Sequence, residues 1–317
     1  MGQTGNMENI LDSTVGRWRR ELRGTFSNNS PTVPQWELDL EKGDDGGYFG
    51  PGSAAWAVHG SMTTLVAGIQ SLLIQALHPG ALAGVHDHSN YRADPLGRLA
   101  GTIRWIFTVS YGDTAAARAA SEKVLRIHEY IRGSYTTNAG AERPYTANDP
   151  DLLRWVHLAF TQAFLGTHQA YGSSIPGGAD AYVADWAVAG ALMRVEHPPT
   201  TVAELKAQLA AFLPELRHDE RVAETIAFIK DPPLPRSQQA GYKVLFSAAV
   251  ASLPPDYREL LRLAAPSLGP VPLPVTVPTK AVLGVVRWSL GSPGPSEAAA
   301  RARRMRLGVE AAPSKRG

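Results

Sequence analysis

Almost nowhere does this chain alternate apolar and polar residues with the period of two that a half-buried strand requires, whereas helical spacing with boundary signals recurs along most of its length. Asp94-Pro95 and Asp149-Pro150 each set an N-cap residue before a proline at the first helical position. The first predicts a helix to about Tyr111, stopped by Gly112. The second opens a stripe of Leu152, Leu153, Val156, Ala159, Phe160, Ala163 and Phe164 that runs to about Ala170. Thr114 is the expected cap of a helix through Arg132, with Gly133 as its stop, and Thr201-Val202-Ala203-Glu204 is a capping box opening a helix to Phe212. Further helices are expected over 181–194, 220–230, 238–252 and 256–263 and, beyond a proline-rich connector at 266–278, over 281–290. The predicted class is all-α, as a single large helical domain over 48–290. An N-terminal arm and loop (1–47) precedes it. A basic tail (291–317), with six Lys and Arg against Glu297 and Glu310, is expected to fray.

With 317 residues, 44% of them hydrophobic, the chain can build a core large enough to surround a cofactor. Its 31 Lys and Arg against 29 Asp and Glu leave a net charge of +2, too little for the electrostatic footprint of a nucleic-acid partner. Cysteine is absent, which excludes disulfide scaffolds, zinc ribbons, iron–sulfur clusters, thiol nucleophiles and c-type haem, and leaves His, Asp, Glu or Tyr to hold any metal. Arg17, Arg19 and Arg20 are followed by no apolar run, so no secretion signal is readable and a cytoplasmic location is expected. The apolar window 54–77 is interrupted by His59, Ser61, Gln70 and Gln75, which fits a helix buried in protein rather than an integral membrane segment.

Gly50-Pro51-Gly52-Ser53-Ala54-Ala55 has the form of a dinucleotide fingerprint, but no strand precedes it, so it reads as a helix-entry turn. The common hydrolase, NTPase and zincin motifs are missing. What remains is nine histidines. His128 lies one turn from Val124 and Ile131 and three residues after Leu125, which predicts an imidazole on the buried side of its helix. His157 and His168 share a face within an apolar stripe. Arg98 and Thr102 are spaced to project side by side, although by spacing alone the pair reads as a surface arginine beside a threonine bonded to its own backbone. Trp105, Ile106, Phe107, Phe160 and Phe164 are candidates for the wall of an apolar cavity, or plain core.

Several blocks taken together resemble the MpaB and latex-clearing-protein oxygenase family. They are Gly50–His59, Leu72–Gly80, Gly84–Ser89, Asp94–Thr102, Ile127-His128 before Arg132-Gly133, and Tyr145–His157, spanning roughly 48 to 290. The resemblance implies a helical domain with a globin-like core that binds haem b noncovalently and uses molecular oxygen on a hydrophobic substrate of isoprenoid type. It further implies His128 as the proximal iron ligand and Arg98 and Thr102 as the pair on the oxygen side. Rubber-cleaving members carry a lysine just before that threonine, and here the position is Gly101. The chemistry suits the residues: without cysteine a haem takes a nitrogen or oxygen ligand, and a fixed arginine or hydroxyl stabilises charge developing on bound oxygen. Two other readings stay open at this point. One is a haem- or apolar-ligand-binding protein without turnover. The other is a non-haem metal oxidoreductase using His86, Asp87, His88 and His157.

Overall fold

The computed structural model describes residues 33–89, 95–268, 271–291 and 293–310; the side chains at 95, 96, 98, 99, 268 and 272 lie outside that description. Residues 1–32 of the expected arm, the Asp94 cap and residues 311–317 of the expected tail are likewise outside it.

The predominantly helical architecture matches the expected class. The elements are α1 (Gln35–Leu38), a 3-10 turn (Asp39–Glu41), α2 (Ala54–His59), α3 (Thr64–Gln75), α4 (Pro79–His88), α5 (Pro95–Tyr111) and α6 (Thr114–His128). There follow β1 (Arg132–Thr136), β2 (Glu142–Thr146), α7 (Pro150–Tyr171), α8 (Gly178–Leu192), α9 (Val202–Phe212), a second 3-10 turn (Leu213–Glu215), α10 (Glu220–Lys230) and α11 (Arg236–Ala251). The chain closes with α12 (Pro255–Leu260), the two-residue strands β3 (Ser267–Leu268) and β4 (Val271–Pro272), α13 (Thr276–Leu290) and α14 (Pro295–Arg306). The apolar window 54–77 is two short helices, and no single described helix is long and apolar enough to cross a membrane.

Helix α7 is the spine. Its 22 residues extend about 33 Å, and Trp155, Leu158, Ala159, Ala163 and Thr167 are wholly buried, the all-round burial of a central helix. Helix α3 lies along it through Val66, Leu73 and Ile74, with α8, α9 and α13 on its other sides. The glycine-rich entry turn caps α2: Ser53 Oγ accepts from the Trp56 amide at 3.2 Å, as expected of a turn rather than a nucleotide loop.

Helices α5 and α6 form an antiparallel hairpin about Gly112-Asp113. Asp113, not Thr114, is the cap, its carboxylate accepting from the Ala116 amide at 2.8 Å, while the Thr114 hydroxyl donates to Asp45. Helix α6 ends at His128, four residues short of the expected Arg132, because β1 and β2 pair as an antiparallel hairpin in register Gly133 with Tyr145. That hairpin buries Tyr135 and Tyr145 against Ala83 and Leu152, and burial of two aromatic rings outweighs the helical propensity of the preceding turn. It seats on α4 at Gly80, where a Cβ would come within 2.7 Å of the Tyr135 ring.

The C-terminal segment corrects an expectation. Residues 295–306 are not frayed but form α14, whose face Ser296, Ala299, Ala300 and Arg303 is buried. Arg303 is fully enclosed and donates to three backbone carbonyls, Asp45 (3.0 Å), Leu40 (2.5 Å) and Tyr111 (2.8 Å). It joins the N-terminal loop to the end of α5.

Candidate functional site

Histidine was the residue type left to carry chemistry, and the structure sorts the candidate histidines by surroundings. His59 ends α2 in the middle of the core. Ser110 Oγ donates to the Ile106 carbonyl (2.7 Å), so it accepts from His59 Nδ1 at 2.6 Å, and His59 Nε2 then accepts from the Tyr182 hydroxyl at 3.1 Å. Both nitrogens are satisfied in the neutral form, and burial lowers the pKa to about 3. Phe160, Phe164, Tyr182 and Trp186 present themselves edge-on to the ring.

His78 is equally structural. As the N-cap of α4 its Nδ1 accepts from the amides of Gly80 (3.1 Å) and Ala81 (3.3 Å), which leaves the proton on Nε2, 3.6 Å from a Glu215 carboxylate oxygen. Burial lowers its pKa to about 4. His157 and His168 both face the core, as their spacing predicts. His157 Nε2 has no hydrogen-bond partner, yet it is closed in by α8, since a Cβ at Gly190 would stand 2.9–3.0 Å from the ring; burial lowers its pKa to about 4. His168 is fully enclosed beside Thr63 Oγ1 (3.3 Å), and burial again lowers its pKa. All four rings are buried in the protein.

The remaining metal reading finds no support. His86 lies at the exposed end of α4 with Asp87 (2.8 Å), whereas His157 is enclosed on α7. Among the described residues no three His, Asp or Glu side chains stand close enough to hold a metal ion.

His128 differs from the enclosed histidines. It is the last residue of α6 and half-buried, with Nδ1 withdrawn from solvent, and its turn is anchored by Leu125, which packs on Leu153 and Val195. Its expected place on the buried side is therefore met only in part. The register of the α5–α6 hairpin is set by Trp105 Nε1, which donates to Ser121 Oγ at 3.1 Å. Continuing that register two helical turns toward the open end places position 98 level with His128. The Arg98 side chain lies outside the description; Thr102, one turn further along α5, is exposed. Gly101 beside it is exposed too, and a Cβ there would meet nothing within 4 Å. The hairpin thus brings all three expected site positions to one end of two paired helices.

The expected cavity wall is packed core. Phe160 and Phe164 stack at 3.8 Å with Trp186 against Phe160 at 5.2 Å, Ile106 is buried, and Phe107 meets Tyr111 edge-on. Sequence reading missed the His59–Ser110–Tyr182 cluster, since its members lie 51 and 123 residues apart and no local pattern joins them.

Against known proteins, the family model described as ER-bound oxygenase mpaB/B'/Rubber oxygenase, catalytic domain, matches residues 56–288. No curated protein and no solved structure matches the chain significantly.

Proposed function

The chain belongs to the mpaB and rubber oxygenase catalytic-domain family, and from that premise we propose that it is a haem b-dependent oxygenase acting with molecular oxygen on an apolar, isoprenoid-like small molecule. Membership makes it an oxygenase-family protein.

The observation that carries it is the level placement of position 98 and His128 at the open end of the α5–α6 hairpin, with Thr102 exposed and Gly101 bare beside it. These residues fit a haem. A histidine at a helix end offers an imidazole without disturbing the core, and an uncovered glycine lets a flat group approach the helix backbone. His128 would hold the iron, and Arg98 and Thr102 would stand on the oxygen side. Haem b supplies the redox chemistry that lets dioxygen attack a carbon–carbon double bond.

The protein's own contribution is electrostatic. The Arg98 guanidinium carries a fixed positive charge at every working pH. The Thr102 hydroxyl adds a neutral donor that rotates toward an oxygen atom acquiring negative charge.

Arg98→Ala tests this assignment. Removing a preorganised donor to developing charge costs on the order of a hundredfold in rate, so the variant should bind haem and melt like the wild type while consuming oxygen on a polyisoprenoid alkene about a hundredfold more slowly. Wild-type rates in Arg98→Ala would remove the catalytic role. Haem binding with no turnover by the wild-type protein on any apolar alkene would favour a haem carrier.

A further inference from the structure

Helix α13 is apolar on two opposite sides. One row, Thr279, Leu283, Val286 and Ser289, is buried on the body of the protein. The opposite row, Val277, Ala281, Gly284, Val285 and Trp288, faces outward, and its large members are strongly exposed: Val277 at 74%, Trp288 at 60% and Val285 at 50%. At 100° per residue these five positions fall within one stripe, and Lys280 and Arg287 run along one flank. Val271 and Leu273, in the chain that enters the helix, are exposed as well. A contiguous apolar surface of this kind marks something that covers it.

Charge identifies the partner. Between Glu259 and Glu297 the chain holds Arg262, Lys280 and Arg287 and no acidic residue at all. Helix α11, packed against α13, adds exposed Arg236 and Lys243 and likewise has no Asp or Glu. A second copy of this chain seated symmetrically on the stripe would bring Lys280 and Lys243 of each copy toward the same cations of the other, from segments that themselves hold no Asp or Glu. An anionic lipid surface complements both features. Aliphatic side chains and an indole enter the boundary between headgroups and acyl chains, and flanking bases meet the phosphates.

We propose that the outer face of α13 docks the protein peripherally on an anionic phospholipid bilayer, with Val277, Val285 and Trp288 inserted and Lys280 and Arg287 at headgroup level. The inference is independent of the cofactor and the reaction, and its test requires neither.

The test is co-sedimentation of the full chain with vesicles of phosphatidylcholine alone and of equimolar phosphatidylcholine and phosphatidylglycerol, with sedimentation velocity on the lipid-free protein. The wild type should bind the anionic vesicles, more weakly as salt rises, and bind the neutral ones poorly. Val277→Ser/Trp288→Ser, which alters only exposed side chains, should keep the wild-type melting temperature and bind on the order of tenfold more weakly. Lys280→Gln/Arg287→Gln should lose about fivefold per charge on anionic vesicles only. Absence of vesicle binding overturns the proposal, as does equal binding by both variants. A lipid-free dimer that Val277→Ser/Trp288→Ser dissociates overturns it in favour of a copy-to-copy interface.

Discussion

Lowering the pH from 7 to 4 should unfold the protein. His59, His78 and His157 have folded-state pKa values of about 3, 4 and 4 because burial penalises the charged ring, against about 6.5 in the unfolded chain. A group whose folded pKa is depressed leaves the unfolded state binding more protons throughout the interval between the two values, so stability rises with pH across it. The stability these rings contribute is complete above about pH 6.5 and is lost as the pH falls toward 4. With three such groups the slope approaches about 4 kcal/mol per pH unit. Two to three units at that slope remove about 8–12 kcal/mol, most of a typical native margin of about 5–15 kcal/mol. Circular dichroism of the haem-free protein should therefore show a cooperative transition between about pH 6 and 4. A melting temperature unchanged from pH 7 to 4 would mean that these rings are not enclosed as described.

Arg303→Met should be the most damaging single change outside the histidines. The guanidinium is fully buried, and its planar fork serves the carbonyls of Leu40, Asp45 and Tyr111, which belong to two separate segments of chain. Burial lowers its pKa, with Asp113 and Asp45 opposing that shift. Methionine fills much of the volume but leaves three carbonyls without donors, a loss of roughly 3–5 kcal/mol, which lowers the melting temperature of a chain this size by about 5–8 °C. Arg303→Lys should recover little of it, because one ammonium cannot span three acceptors set around a plane. A Met variant that melts within about 2 °C of the wild type would show that α14 does not tie the N-terminal loop to α5.

Much of the helical order was legible because its signals are local. Helix α5 starts at Pro95 and α7 at Pro150, α9 follows Thr201, and α10 spans Glu220–Lys230 as the pattern indicates. Asp149 shows the limit of that logic. The helix opens where expected, but the carboxylate turns back to the Thr146 amide (3.1 Å) and hydroxyl (2.9 Å) instead of capping the helix. Helix α14 was illegible because its buried row is Ser, Ala, Ala and Arg, so the face that docks carries no apolar signal, and its energy lies in bonds to carbonyls more than 190 residues away. The β1–β2 hairpin was missed for a related reason. Its two inward tyrosines gain their burial from α4 and α7, and strands of five residues show no sustained alternation.

The candidate site was legible as positions and less so as surroundings. Helical spacing paired Arg98 with Thr102, and the turn at Gly112 made α5 and α6 neighbours, which brings His128 to the same end of the hairpin, level with position 98. The aromatic residues that follow on α5 and those on α7 were ambiguous between cavity and core. The deciding fact, that Phe160 and Phe164 close around His59 from α2 and Trp186 from α8, is a contact among three distant segments.

The central claim is that His128 holds a haem, and a haem titration of wild type and His128→Ala tests it most directly, since it reads the cofactor without depending on a substrate. The wild type should bind haem b stoichiometrically, with a Soret band and a b-type pyridine haemochrome. His128→Ala should keep its circular dichroism and melting temperature, because the imidazole sits half-buried at a helix end outside the main core, and should lose that band or bind haem far more weakly. A folded His128→Ala protein with wild-type haem affinity and an unchanged spectrum would contradict the account.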